Sequence, residues 1–294
     1  MVANQSPTNS TNAIELTMNT ASHSAALLHV SVAKRPRLFR CVTAWLAFGA
    51  LFSTVAEEPP APAAQGTAVK APDKLVVLTF DDSVASQATI VAPLLKRFGF
   101  SATFFITEGF DFAANKEQYM TWEQIRELHD AGFEIGNHTR KHTAVNSQTP
   151  EQLAGDVEYI EQQCTAHGIP RPMSFCYPGY ASSPAAVEVL RGRGYRFARA
   201  GGARAFDPAK DEPLLMPQAF DSKPGAKFEH FVAAVAQAKD GKIAVMTFHG
   251  VPDEQHPWVN TDPAVFEKYL AHLKEQGSTV IAVRDMVKYL PAAK

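Results

Sequence analysis

The 294-residue sequence predicts a parallel α/β fold. Three observations carry the prediction. Short apolar runs alternate with amphipathic stretches from Leu75 to Leu290, about seven strands each followed by a helix. The helical stretches carry start and stop signals of their own. No fixed-period repeat is present, and no Gly-rich phosphate loop follows the first strand, which argues against a dinucleotide fold. The pattern does not separate a closed barrel from an open doubly wound sheet.

The elements follow in order. Leu75–Phe80 is a buried strand. Ser86–Phe98 is amphipathic, with Ile90, Val91, Leu94, Leu95 and Phe98 on one face, and Gly99 closes it. Ala102–Ile106 is the second strand. Thr121 and Gln124 form a capping box for a helix over Trp122–Ala131, and Phe133–Gly136 is the third strand. Thr149 caps and Pro150 opens a helix to about His167. Met173–Tyr177 and Tyr195–Arg199 are strands flanking a helix over Ser183–Arg193. Residues 201–225 are rich in Gly, Pro and Asp and predict a long loop, with one short strand at Leu214–Met216. A helix over Lys227–Lys239, a strand over Ile243–Phe248, a helix over Pro263–Gln276, a strand over Thr279–Ala282 and a helix over Arg284–Leu290 complete the chain.

Apolar residues make up 46% of the sequence, enough for one domain with a large core. The formal net charge of −2 gives no electrostatic reason to expect nucleic acid or an acidic membrane surface as partner. Residues 1–57 read as a signal or targeting segment with a long extension ahead of it. A basic cluster, Lys34 to Arg40, precedes a mostly apolar run from Val42 to Val55, short for a membrane span, and Thr54-Val55-Ala56 suits cleavage. A translation start near Val32 would remove the unusual extension, and amino-terminal sequencing of the precursor tests it. An uncleaved membrane anchor is the alternative; a cleaved signal leaves no stable membrane insertion. Residues 58–73 are a Pro/Ala-rich linker. Processing would leave Cys164 and Cys176, which either pair in an oxidising compartment or stay free thiols.

The chemistry gathers at strand ends. Thr79-Phe80-Asp81-Asp82 ends the first strand and His138-Thr139-Arg140-Lys141-His142 follows the third. Histidines at i and i+4 would project from one side of a helical turn and could share a divalent metal. An HxxxH pair alone arises easily by chance, and an Asp-Asp after a strand is commonly a turn or cap. The joint pattern is stronger, because Ala244–Phe248 is a third apolar run that ends in a polar group, His249. Parallel strands converge such ends at the carboxyl-terminal rim of an α/β barrel. One Asp and two His with an open position is a catalytic set rather than a closed structural one.

These segments resemble the first, second and fifth motifs of the polysaccharide deacetylases, the carbohydrate esterases of NodB-homology type, over roughly Lys74 to Leu290. The resemblance implies a distorted (β/α) barrel of about seven parallel strands, with 74–294 as the catalytic domain. It implies that Asp81 is the general base, that Asp82, His138 and His142 hold one divalent metal, and that His249 is the general acid. Zinc is the expected ion, with cobalt or another divalent ion as alternatives. The expected activity is removal of acetyl groups from the N-acetylated sugars of a glycan, outside the cytoplasm or in the cell envelope. Alternatives are an O-acetyl esterase on acetylxylan-type glycan, hydrolysis of a small-molecule C–N bond, and a noncatalytic glycan-binding protein.

The sequence departs from the family at the third motif. Phe175-Cys176-Tyr177-Pro178-Gly179-Tyr180 carries Cys176 where the family has an Arg that holds the catalytic Asp, and its aromatic and Gly are exchanged, which disturbs the family's backbone oxyanion donor. Cys176 is then a passive small residue with Arg199 substituting for the lost Arg, a sign of lost activity, or a nucleophile. The carboxylate that orients the acid His in the family has two candidates, Asp221 and Asp207, with Asp221 preferred; turn or cap use is the commoner role of such an Asp. Tyr180 and Trp258 are candidate sugar-stacking residues, although a Trp packing its own loop is the equal reading, and His256 is a further polar candidate.

Overall fold

The computed structural model describes residues 69–291. The signal-like segment 1–57 and all of the linker 58–73 except its last five residues lie outside the described residues.

The strands are β1 (Leu75–Phe80), β2 (Thr103–Ile106), β3 (Glu134–Asn137), β4 (Ser174–Cys176), β5 (Phe197–Arg199), β6 (Phe220–Asp221), β7 (Ala244–Phe248) and β8 (Thr279–Ile281). The helices are α1 (Ala92–Phe98), α2 (Trp122–Asp130), α3 (Pro150–Ala166), α4 (Pro184–Gly192), α5 (Phe228–Val235) and α6 (Pro263–Glu275). All strand pairs are parallel, in the order β5-β4-β3-β2-β1-β7-β6. The last strand, β8, pairs with the lower half of β1, Leu75 to Val77, while β2 pairs with its upper half, Thr79 and Phe80. The fold is a distorted (β/α) barrel.

Strand alternation explains the layering. Leu75, Val77, Phe105, Cys176, Phe197 and Val245 share an inner core, while Val76, Leu78, Phe80, Phe104, Ile135 and Met246 pack outward with the helices. The expected caps form: Thr121 with Gln124 and Thr149 with Gln152 make reciprocal capping boxes, and Gly99 ends α1 in a left-handed conformation.

Three expectations need correction. The helix expected from Ser86 opens as a π-turn over Gln87–Val91, where Pro93 has no N–H to close a regular turn. The strand expected at Leu214–Met216 is a 3-10 turn over Pro213–Leu215, and the strand lies further on, at β6. Met216 still bridges to β5, exchanging hydrogen bonds with Ala198 and Ala200, and Ala219 then bonds to Val245 of β7. This irregular segment spans the gap between β5 and β6. The final helix is a 3-10 turn over Val283–Tyr289.

At the bottom of the barrel the buried Glu134 accepts from Thr103 Oγ1, Ser174 Oγ and the Arg284 backbone N–H at 2.6–2.7 Å. Burial pushes its pKa up against these hydrogen bonds. Glu134→Ala leaves three donors without their acceptor. We expect a loss of about 1–3 kcal/mol in urea unfolding; an unchanged midpoint would refute that account.

Among the described residues no helix is long and apolar enough to cross a membrane. Cys164 and Cys176 are free, buried and in separate cores, so the disulfide alternative is not realised.

Candidate metal and catalytic site

Asp81, Asp82, His138, His142 and His249 line one cleft of about 280 Å³ at the carboxyl-terminal mouth, with Phe110, Tyr180, His256 and Trp258 on its walls. Alternation places some of them directly. Asp81 continues the inward series Leu75, Val77 and Thr79, and His249 the series Val245 and Thr247. The same alternation would turn Asp82 away. Asp82 (φ 71°) and Ser83 (φ 57°) are both left-handed, and this reverses the chain so that neighbouring carboxylates enter one cavity. Ser83 is locked there: its Oγ donates to the Thr107 carbonyl and accepts from the Thr107 N–H, and Met120 N–H bonds to its carbonyl.

The two histidines do not share a helical turn. Residues 138–142 form a loop with left-handed Thr139 and His142. Local hydrogen bonds set its shape: Asn137 Oδ1 accepts from Thr139 N–H, and Thr139 Oγ1 from His142 N–H. Asn137 Nδ2 in turn bonds to Tyr195 Oη and the Val157 carbonyl. The histidines converge because the loop folds back, not because of helical spacing.

His138 Nδ1 lies 2.8 Å from the Cys176 carbonyl, which can only accept, so Nδ1 carries a proton and Nε2 faces Asp82. Asp82 Oδ1 is 3.3 Å from His138 Nε2 and 3.2 Å from His142 Nε2. Donors about 2.0–2.2 Å from one tetrahedral centre are separated by roughly 3.3 Å. Asp82 Oδ1 is buried without a hydrogen-bond partner. An orphaned carboxylate oxygen facing two imidazole nitrogens fits a divalent cation. Burial works to raise the Asp82 pKa, but the two histidines hold it well below the usual carboxylate value.

A second cluster surrounds Asp81. Arg199, fully buried, pairs through Nη2 with Asp81 Oδ2, contacts Cys176 Sγ at 2.8 Å, and donates from Nη1 to Gln218 Oε1 at 2.6 Å. Gln218 Oε1 also accepts from Thr247 Oγ1 at 2.6 Å. Burial acts to raise the Asp81 pKa, but Arg199, His138 and His249 outweigh it and keep the carboxylate charged. His249 Nε2 is 3.8 Å from both Asp81 Oδ2 and Asp82 Oδ2.

Other candidates are placed differently. Asp221 does not reach His249: its charged neighbour is Lys223 at 3.6 Å, and His249 Nδ1 has no hydrogen-bond partner. Asp207 serves as a turn cap, accepting from Ala209 N–H. Tyr180 is half-buried with its ring 5.5 Å from the Arg199 guanidinium, and its N–H is committed to the Tyr177 carbonyl. Trp258 stands 64% exposed on the rim beside His256. His256 is held between Asp253 and Tyr119 Oη, and Phe110 lies between the His142 and His256 rings. Sequence reasoning missed Asn137, Gln218, Phe110 and Gln87. Gln87 Nε2 donates to the backbone carbonyls of both Asp81 and His249, tying the ends of β1 and β7 together. Only the Asn before the HTxxH segment carried a local signal, as a turn-former.

Gly109 packs against this loop. A Cβ there would sit 2.7 Å from His142 Cβ and 3.0 Å from the Lys141 carbonyl group, closer than real contacts allow. Gly109→Ala is expected to displace His142 and weaken divalent-ion affinity about tenfold or more in chelator competition. Unchanged affinity would remove the steric argument.

A parallel (β/α) barrel with a possible Asp-His-His metal site at its carboxyl-terminal mouth is the architecture these observations define. The family model for polysaccharide deacetylase matches residues 68–198. Over that segment the chain is similar to the polysaccharide deacetylases. It is 26% identical over 225 residues to a peptidoglycan-N-acetylglucosamine deacetylase of Bacillus cereus, a match covering 74% of this chain and 90% of that protein. Its likeness to YxkH of Bacillus subtilis is 32% over 88 residues, spanning only 30% of each chain. The Xyl-CE4 domain of a multidomain xylanase from the hindgut metagenome of Trinervitermes trinervoides shares the fold with a TM-score of 0.55 at 19% identity, over 76% of this chain and 95% of that one.

Proposed function

We propose that the protein is a metal-dependent hydrolase removing acetyl groups from the N-acetylated sugars of a polysaccharide. The observation that carries this reading is Asp81, charged and anchored by Arg199, beside the Asp82–His138–His142 donor cluster and within 3.8 Å of His249.

Asp82, His138 and His142 would hold one divalent ion, zinc being preferred by such a nitrogen and oxygen set. When bound, the ion supplies Lewis-acid polarisation of the acetyl carbonyl and a lower pKa for water. Asp81 takes the proton from the attacking water. Arg199 orients Asp81 through Nη2 and is itself fixed by Gln218, so the base needs no Arg from the third motif. His249, with Nε2 3.8 Å from Asp81 Oδ2, delivers a proton to the leaving amine. Cys176 serves as a small buried neighbour of Arg199 and Asp81 rather than a nucleophile. Its thiol is pushed up by burial, so thiolate is scarce. Phe110 and Trp258 offer exposed aromatic faces on the rim to a sugar ring. A glycan substrate and an exported or envelope location are the partner and setting this reading implies.

The test is acetate release from N-acetylated glucosamine oligosaccharides and from acetylxylan, with and without chelator. Chelator-sensitive acetate from the N-acetylated substrates alone supports the proposal. Release from acetylxylan alone would make the enzyme an O-acetyl esterase. No release from either, with metal bound, would favour a noncatalytic glycan binder.

A further inference from the structure

The two imidazoles that face Asp82 are held in different ways. His138 is oriented by the hydrogen bond from Nδ1 to the Cys176 carbonyl. A metal-binding histidine almost always has its second ring nitrogen fixed by such a bond, which sets tautomer and ring orientation. His142 has no such bond among the described residues: its polar contacts are the backbone N–H to Thr139 Oγ1 and Nε2 to Asp82 Oδ1. Burial does not compensate, since the His142 side chain is 21% exposed against 2% for His138.

Aromatic packing holds the His142 ring instead. The Phe110 centroid lies 4.6 Å from that of His142, at 39° between planes, and 4.8 Å from that of His256, at 48°. The far side of this sandwich is rigid. His256 Nδ1 is 3.1 Å from Asp253 Oδ1, its Nε2 is 3.2 Å from Tyr119 Oη, and Asp253 N–H donates to Asn260 Oδ1 at 2.7 Å. Tyr119 also stacks on Phe110, with 6.2 Å between centroids and 6° between planes. The Phe110 segment is tied to the histidine loop, since Glu108 N–H donates to the Arg140 carbonyl at 3.1 Å. Phe110 is left-handed (φ 58°), and a bulky residue in that region persists where its surroundings over-determine it. The ring is 47% exposed, so its own burial does not explain the conformation; its three aromatic neighbours do.

We propose that Phe110 and His256 are positioning residues for the metal ligand His142, the sandwich supplying the ring orientation that a hydrogen bond supplies to His138. The inference rests on the metal reading above. Without Phe110 the imidazole is free to swing Nε2 away from Asp82. His256 lies on the loop that leaves His249, so the sandwich also ties the ligand to the segment carrying the proposed proton donor.

The experiment measures zinc affinity by chelator competition and the visible spectrum of cobalt-loaded protein, which follows ligand geometry. Phe110→Ala should weaken zinc binding about tenfold or more, and His256→Ala severalfold, with altered cobalt bands in both. Phe110→Tyr keeps the ring and should stay within about twofold of wild type. The melting temperature of the metal-free protein should not follow this order. Unchanged affinity and cobalt bands in both alanine variants would overturn the proposal and leave Phe110 a surface for sugar alone. Trp258→Ala removes a second rim aromatic and spares the sandwich; an equal loss of affinity there would make the effect a general loosening of the rim and overturn it too. If the wild type takes up no divalent ion, the metal reading falls. The sandwich is then judged on the metal-free His142 ring resonance, identified by its absence in His142→Asn. Movement or broadening of that resonance in His256→Ala, transmitted through Phe110, sustains the sandwich, and an unmoved resonance removes it.

Discussion

Asp81→Asn is expected to lower kcat for acetate release by about 10²–10⁴-fold while divalent-metal content stays at the wild-type level. The amide is nearly isosteric with the carboxylate, so Arg199, Cys176 and Gln218 keep their packing around it. What changes is basicity, since Asn cannot take a proton from water. The proposed metal ligands, Asp82, His138 and His142, are untouched. Activity and metal loading must therefore separate, and elemental analysis beside turnover measures both. Turnover within threefold of wild type would take Asp81 out of the base role. Loss of metal together with turnover would make it a ligand instead.

Arg199→Ala is expected to cost about 3–5 kcal/mol of stability in denaturant unfolding, the range for breaking one side of a buried ion pair. Arg199 is 0% and Asp81 2% exposed, so water cannot replace the lost guanidinium. Removing it strands the Asp81 carboxylate and leaves Gln218 Oε1 with only Thr247 as donor. The kinetic consequence has a definite sign. Burial raises the Asp81 pKa and Arg199 is the foremost influence lowering it, so without Arg199 the pKa rises. As the proposed base Asp81 works only when deprotonated, so the acidic limb of the kcat/KM profile is expected to move to higher pH. Arg199→Lys restores charge without the planar fork and should recover part of the stability but little of the orientation. A stability loss below about 1 kcal/mol with an unmoved acidic limb would show that Arg199 does not support Asp81.

Much of the scaffold is legible because its signals are local. The capping boxes at Thr121 and Thr149, Gly99 after α1 and the apolar run of β1 each act within a few residues. Alternation along β1 and β7 carries Asp81 and His249 inward from the sequence alone. The misplaced strand near Leu214 has a different origin. Its segment bonds to β5 on one side and β7 on the other, partners far away in the chain. Pairing of that kind leaves no periodic trace over two or three residues.

The sequence by itself determined the parallel α/β class, the order of the motifs, and the concentration of Asp and His at strand ends, because alternation and capping are short-range physics. Only the tertiary structure decided how those groups meet. Left-handed Asp82, Thr139 and His142 turn side chains against their local periodicity, and contacts from elsewhere in the fold, Ser83–Thr107, Asn137–Tyr195 and the gap left by Gly109, help to hold these turns. The partner of Asp81 was likewise a matter of barrel geometry: β4 and β5 lie side by side, with Cys176 in register with Arg199. The guanidinium that meets Asp81 comes from the end of β5, across a distance that no local pattern in the chain encodes.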